Sequence, residues 1–452
     1  MRVLLINRND FVDGGADRVF LNTYDLLQAA NCSSPSLFQG GVGVGTSVGV
    51  GVGTSGSLGE GTSTAVEGTL GAEFSVNKFT RQDVGLDHLV DPRSLSWWAK
   101  LRMVKDYLYN KRVGKCLDRK IREFNPDVAH VHLIFGTLSV SVLRVLKKHG
   151  VPIIMTVHDY RLICPANAML DRHGKVCERC RGSRYYNCLI RRCSEGNLFF
   201  SGVIMLEAYM RKYLVKPLKL VDHFIFVSQF ARNKHLEFEP RYALKSSHLY
   251  NMNLPVPETP IIKGDYFLYF GRISREKGIL TLIKASQIAG VKLIIAGTGP
   301  QEEEIRRQED YKTIRLEDSK TLRPGEGEKG MAFVGFKSGE ELNKLIRESS
   351  FVVVPSEWYE NNPMTVVEAF SLGKPVIGAR IGGIPELVTP ENGYLFESGS
   401  PESLAEALTK AEKMKFEEYS KMSESCKEFA SKNFDRTRHF EHLTGIYQQV
   451  LN

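Results

Sequence analysis

Nowhere in the 452 residues does an apolar run reach the roughly 18 positions of a spanning helix, which argues against an integral membrane protein. The opening MRVLLINRNDF turns polar too soon for a secretory leader, so a cytoplasmic protein is the expectation. Eight cysteines in so long a chain are too sparse for the disulfide framework of a small secreted domain; they favour reduced thiols or a metal site. No GxxxxGK[ST] motif is present, so the one glycine-dense tract, residues 40–71, is not a phosphate cradle of that kind. That tract is nearly all Gly, Val, Ser and Thr and offers little for a core to pack, where a second core strand should stand. It reads as a flexible insertion.

What is present is ordinary in composition and informative in order. The length calls for two domains of roughly 200 residues each. A net charge of +8 suits an anionic partner, whether phosphate ligand, nucleic acid or lipid surface. Short β-branched runs alternate with helix-period segments, the pattern of parallel sheets covered on both faces. RVLLIN, DVAHVHL, PIIMTVHD and HFIFVS form a first series. YFLYFGR, KLIIAGTG, MAFVGF, FVVVPS and KPVIGA form a second, after a polar, proline-containing stretch that puts a boundary near 255–264. Such sheets bind ligands at the carboxyl ends of their strands, so two of them facing each other place a site in the cleft between.

Three stretches sit where that site would be. In NRNDFVDGGADRVFLNTYDLL, a strand runs into Gly14 and Gly15 at the head of an amphipathic helix, where backbone amides and the helix dipole favour an anion; a tight turn explains the pair equally well. In YFGRISREKGILTLIKA, Arg272 and Lys277 lie just past a buried strand, placed for a diphosphate, with solvated surface charge as the plain reading. In SEWYENNPMTVVEAFSLGKPVIGA, Asn362 and Pro363 look like the N-cap and first position of a short helix that Gly373 ends. Glu360 then falls in the loop before that helix and Glu368 inside it, too far along to cap it, while free amides of Met364 and Thr365 face the cleft. Amides, cations and carboxylates together suit a ligand that is part phosphate and part sugar.

The motifs GRISREKG, IAGTGP, FVGF and PSEWYENNPMTVVEAFSLGKPVIGARIGGIPELV, followed by NGYLFESGSPESLAEAL, resemble glycosyltransferase family 4 (group 1 glycosyltransferases), and GGADRV, DVAHVH and TVHD are similar in the first half. The resemblance implies a GT-B architecture: two Rossmann-like α/β domains with parallel sheets across an interdomain cleft. It sets residues 1–258 as the acceptor-side domain with insertions at 40–71 and 164–193, residues 259–430 as the nucleotide-sugar domain, and 431–452 as a helix returning to the first. It implies a retaining transfer of a sugar from a nucleotide-diphosphate sugar to a glycan, lipid-linked or other hydroxyl acceptor, in cell-surface polysaccharide biosynthesis, without a catalytic metal. Arg272 and Lys277 would hold the diphosphate and stabilise its departing charge, and Glu368 the nucleotide ribose. Glu360 would meet the sugar hydroxyls or the reacting face, and His158 the donor sugar near the reaction centre. Gly14 and Gly15 would bring amides to the phosphates. Asp17 stands where glutamate is usual, and Asn361 and Asn362 where small or aromatic residues are frequent, which leaves the donor's identity open. From its spacing alone, His158 beside Asp159 also reads as a structural hydrogen-bonding pair.

Two accessories stand apart from these motifs. VCERCRGSRYYNCLIRRC aligns Cys177, Cys180, Cys188 and Cys193, a set that fits a tetrahedral structural zinc with Cys164 as an optional extra ligand, or else free or disulfide-bonded cysteines. Residues 97–122, with Trp97, Trp98 and many Lys and Arg, read either as a basic helix lying on an anionic membrane face or as a solvated helix packed on its domain. Three other classes fit less well. A nucleotide-sugar 2-epimerase shares the architecture but not the E-x7-E element. A metal-containing nucleic-acid-binding protein leaves the second-half motifs unused, so no nucleic acid is expected. A glycosidase built on Glu360 and Glu368 gives the phosphate contacts no purpose.

Overall fold

The computed structural model describes residues 1–12, 14–30, 74–86, 96–194, 196–253, 260–306 and 330–452. The glycine-dense tract 40–71 lies outside them. Twelve described strands form two six-stranded sheets, every pairing parallel. The first holds β1 (Arg2–Ile6), β2 (Ser75–Phe79), β3 (Val128–Val131), β4 (Ile153–Val157), β5 (His223–Phe226) and β6 (Ser246–His248), in the order β2-β1-β3-β4-β5-β6. The second holds β7 (Phe267–Phe270), β8 (Leu293–Ala296), β9 (Met331–Gly335), β10 (Val352–Val354), β11 (Val376–Ala379) and β12 (Gly393–Phe396), in the order β12-β11-β10-β7-β8-β9. These are the two common doubly wound orders, and each reverses direction once: between β1 and β3 in the first sheet, between β7 and β10 in the second. A crevice opens at the carboxyl ends of the strands flanking each reversal, because the connecting helices there leave to opposite faces.

The second core strand does exist. It is Ser75–Phe79, directly after the glycine-dense tract, and it pairs with β1 from Arg2↔Ser75 to Ile6↔Phe79. The expectation that the tract itself takes that strand's place is thereby corrected. SVNKF sits at the sheet edge, half exposed, and so lacks the continuous apolar run that marks a central strand.

The two bodies exchange chain twice, across residues 253–264 and near Phe434. The helix Phe416–Asn433 packs in the second core through Tyr419, Met422 and Cys426. The last helix, Arg436–Leu451, buries Phe440, Leu443 and Tyr447 against Val3, Leu5 and Phe20 of the first. No helix of the described residues is long and apolar enough to cross a membrane.

Residues 97–122 form two helices, Trp97–Leu108 and Lys111–Phe124, rather than one. Asn110 separates them: its Oδ1 accepts from the amides of Arg112 and Val113 to cap the second. That second helix buries Val113, Leu117 and Ile121 under the first sheet and turns its cations to solvent.

Candidate active site in the interdomain cleft

The loop after β1 enters the helix Gly15–Ala29 through Gly14, whose backbone is extended (φ −170°, ψ −179°). Asp17, in the first turn of that helix, is buried and pins the loop: Asn7 Nδ2 donates to its Oδ1 at 2.9 Å. Any residue can adopt Gly14's extended backbone, and a Cβ there would meet nothing within 4 Å, so the fold makes no demand for glycine at this position. A Cβ on Gly15 would stand 3.5 Å from Met364 Cγ, which brings the helix N-terminus across to the second domain.

On that second domain the loops after β7 and β10 interlock. Gly278 is left-handed (φ +68°), and a Cβ on it would lie 1.9 Å from the Pro355 carbonyl oxygen, so both the turn and the close approach require glycine. Lys277 is thereby fixed beside Glu360, its Nζ 2.6 Å from Oε1 and above the Trp358 ring. Ser356 donates to the same carboxylate at 2.7 Å. Burial pushes the Glu360 carboxyl up, but the charge of Lys277 and the hydrogen bonds from Lys277, Ser356 and Trp358 together hold it below its ordinary value, so it is ionised. Arg272 is exposed at the end of β7, with no side-chain partner among the described residues.

The helix after β10 is Met364–Ser371, with Pro363 rather than Asn362 at its N-cap; Gly373 (φ +68°) follows its end. The amides of Met364 and Thr365 take no part in the helix's own hydrogen bonds, which begin with Val366 and Val367 donating to Pro363. Asn362 is occupied elsewhere. Its Oδ1 accepts from the Asn251 amide at 2.7 Å, and its carbonyl from Asn251 Nδ2 at 3.0 Å. Asn361 Nδ2 donates to the His158 carbonyl oxygen at 2.6 Å. The two asparagines of YENNP therefore join the domains, a role their sequence did not disclose.

Glu368 is buried on the same helix and paired with Arg18 of the first domain. Burial pushes its carboxyl up, and Arg18 offsets only part of that. Arg18 was not a candidate in the sequence; four residues past Gly14 on an amphipathic helix, it resembles any surface cation. His158, at the end of β4, is tied to His132 rather than to Asp159: His132 Nδ1 and His158 Nε2 lie 2.9 Å apart with stacked rings, and Asp159 instead accepts from the Arg161 amide. The pairing with Asp159 read from sequence is thus replaced. His130 continues the row, bonded to Thr156 Oγ1 and Tyr447 OH. Burial holds His158 and His130 neutral, each down to about 3, and His132 well below its ordinary value.

Two further contacts close the cleft. Glu386 accepts from the amides of Gln229 and Phe230, capping a first-domain helix from the second domain. Tyr359 donates to Glu178 of the cysteine-bearing insertion at 2.8 Å. Within that insertion Cys180, Cys188 and Cys193 pack with Tyr185 and Ala208, and Cys164 packs with Tyr160 and Met169. Cys164, Cys177, Cys180, Cys188 and Cys193 are all free thiols. Among the described residues no three His, Cys, Asp or Glu side chains come together to hold a metal ion.

Residues 258–432 match the family described as Glycosyl transferases group 1, and residues 88–242 match Glycosyltransferase Family 4. An uncharacterized 42.6 kDa protein of the Klebsiella pneumoniae cps region is 26% identical over 285 residues, covering 62% of this chain and 64% of that protein. The sulfoquinovosyl transferase SQD2 of Arabidopsis thaliana is 29% identical over 308 residues, covering 64% and 50%. The chain thus spans less than two thirds of either relative. Among solved structures, Anabaena HepE with UDP and glucose superposes with a TM-score of 0.59 at 16% identity, covering 99% of this chain and 100% of that one. Sucrose-phosphate synthase from Thermosynechococcus elongatus gives 0.61 at 18%, covering 99% and 98%. With two doubly wound sheets meeting at their reversal points, and with family motifs on both sides of the cleft, the chain belongs to the group 1 glycosyltransferases of family 4 and has the GT-B fold.

Proposed function

We propose that the protein transfers a sugar, with retention, from a nucleotide-diphosphate sugar to a hydroxyl acceptor in the assembly of a cell-surface polysaccharide. One observation carries the reading: cations, open amides and carboxylates converge from both reversal points on a single cleft. Arg272, Lys277 and the amides of Met364 and Thr365 suit a diphosphate, with Gly14 and Gly15 approaching from the opposite wall. Glu368 suits the ribose and Glu360 the sugar hydroxyls. Arg18 engages Glu368 across the cleft, so a nucleotide ribose held by Glu368 competes with or rearranges that pair.

During transfer the bond from the anomeric carbon to the diphosphate breaks, and a new one forms to the acceptor oxygen on the same face. The acceptor's proton passes to the departing phosphate oxygen. Lys277 and Arg272 stabilise the charge left on that phosphate, the kind of contact worth roughly two to three powers of ten in rate. His158, neutral and backed by His132, offers a hydrogen bond to the donor sugar without adding charge. Relatives named for teichuronic acid, amylovoran and colanic acid biosynthesis support a polysaccharide acceptor. Soluble glycan and lipid-linked acceptors both fit that reading.

UDP is the first nucleotide to test, because HepE was solved with it. In a thermal-shift panel, one nucleotide sugar is expected to raise the melting temperature and then to serve as donor in a transfer assay. Lys277→Ala is expected to lower kcat/KM at least about a hundredfold while keeping the fold. Donor isomerisation without transfer, or no stabilisation by any nucleotide sugar, would overturn the proposal.

A further inference from the structure

The helix Leu198–Met210, in the stretch between the cysteines and β5, is apolar nearly all round. Its inward side carries Ser201, Glu207 and Ala208, with Ile204, Met205 and Tyr209 packed against the cluster of Cys180, Tyr185 and Cys188, and Arg211 just beyond its end pairs to Glu207. Its outward side carries Leu198, Phe199 and Leu206, which are 54%, 42% and 51% exposed. Phe199, Val203, Leu206 and Met210 follow one another at i, i+4, i+7 and i+11, so they line a single ridge. A helix whose outer side meets only water keeps that side polar; this one is apolar on its outer side as well as its inner one. Neighbouring elements extend the ridge. Tyr186 and Ile190 are exposed on the preceding helix, Tyr213 and Leu214 on the turn that follows, and Trp98 and Leu101 on the helix Trp97–Leu108 packed alongside. So large an exposed apolar patch marks a contact surface.

Charge selects the partner. From Arg179 to Lys219 the exposed described cations include Arg181, Arg184, Arg192, Lys216 and Lys219; the acids in that stretch are Glu207, which is buried, and residue 195 outside the described set. At the C-terminal end of the ridge a cavity of about 260 Å³ opens beside Tyr213, lined by Lys212, Lys216, Lys219, Arg241 and Glu239. Glu239 takes Lys212 and Arg241, which leaves Lys216 and Lys219 without an ion pair among the described residues. An apolar ridge with amphipathic aromatic side chains and a rim in which cations outnumber acids complements a lipid bilayer carrying anionic headgroups.

We propose that this face, from Leu198 to Val215 with Trp98 beside it, docks flat on an anionic membrane and sinks its apolar ridge into the headgroup boundary. The surface chemistry argues this independently of the transfer reaction. The docking element is the helix Leu198–Met210 with Trp97–Leu108 alongside; the Lys111–Phe124 helix, whose apolar side is already covered, is only a bystander.

Flotation of the full chain with phosphatidylcholine vesicles, with and without phosphatidylglycerol, tests it. The unaltered protein is expected to float with the anionic vesicles and to stay largely unbound with the neutral ones. Phe199→Glu with Leu206→Glu is expected to lower partitioning at least about tenfold, with the melting temperature held, because both side chains are outward. Lys216→Gln with Lys219→Gln is expected to weaken it less and to reduce its salt sensitivity. Lys115→Glu with Arg119→Glu, on the bystander helix, is expected to change it little. Failure of the unaltered chain to float with anionic vesicles overturns the proposal, as does equal flotation of the Phe199/Leu206 variant. A dimer in solution that this variant dissociates, without flotation, assigns the face instead to a second copy of the chain.

Discussion

Glu368 and its partner show how one residue's surroundings set its task. The carboxylate is buried, raised by that burial, and compensated across the cleft by a single arginine. Hydrogen bonds to a charged group contribute roughly 1.5–3 kcal/mol, so Glu368→Ala is expected to weaken nucleotide binding about ten- to a hundredfold by calorimetry. Arg18→Ala is expected to cost far less affinity, since it releases a competitor for the same oxygens. Unchanged affinity in the glutamate variant would remove Glu368 from the site. The sequence pointed to Glu368, Glu360, Lys277 and Arg272 as candidates because each falls in a motif with a fixed spacing from a strand end. It did not disclose Arg18, His132, Asn361 or Asn362 as partners, because what defines them is a contact more than 20 residues away in the chain. No periodicity records such a contact.

Among the elements, legibility followed position in the sheet. The nine strand runs visible in the sequence are all present, whereas β2, β6 and β12 gave no signal. All three are edge strands, SVNKF, SSH and GYLF, paired on one side only and too short or too polar to form an apolar run. Turns were legible as glycines, but not the reason for each one. Gly278 serves its own backbone: with φ +68° and the Pro355 oxygen against it, Gly278→Ala is expected to destabilise the fold by about 2–4 kcal/mol, seen as a lower denaturation midpoint. Gly14 is the contrast. Its extended backbone and open surroundings predict that Gly14→Ala leaves stability unchanged and weakens only donor binding; an equal loss of stability in both variants would refute that distinction.

Three of the histidines, His130, His132 and His158, stand in one row through the first sheet, and the two fully buried ones set a pH limit on the whole molecule. His130 and His132 are 1% and 3% exposed, and burial keeps both rings from accepting a proton near their ordinary pKa of 6.5. Above that pH the folded and unfolded chains are both neutral at these positions and nothing changes. Below it the unfolded chain binds protons that the folded one refuses, so stability falls from about pH 6.5 toward 3, at up to about 1.4 kcal/mol per pH unit for each ring. The melting temperature is expected to drop between pH 7 and 5, and replacing His130 with Gln is expected to flatten that slope. A slope unaffected by the replacement would place the sensitivity elsewhere. Tyr447, which bonds to His130, comes from the last helix of the chain, so the first domain is completed by residues encoded after the second. The gene is therefore not divisible at its apparent midpoint. A fragment ending near residue 260 would lack Phe440, Leu443 and Tyr447, three side chains that fill its own interior. A chimera that exchanges first domains between relatives has to carry residues 436–451 with the first half, or join a foreign helix to a socket shaped for this one.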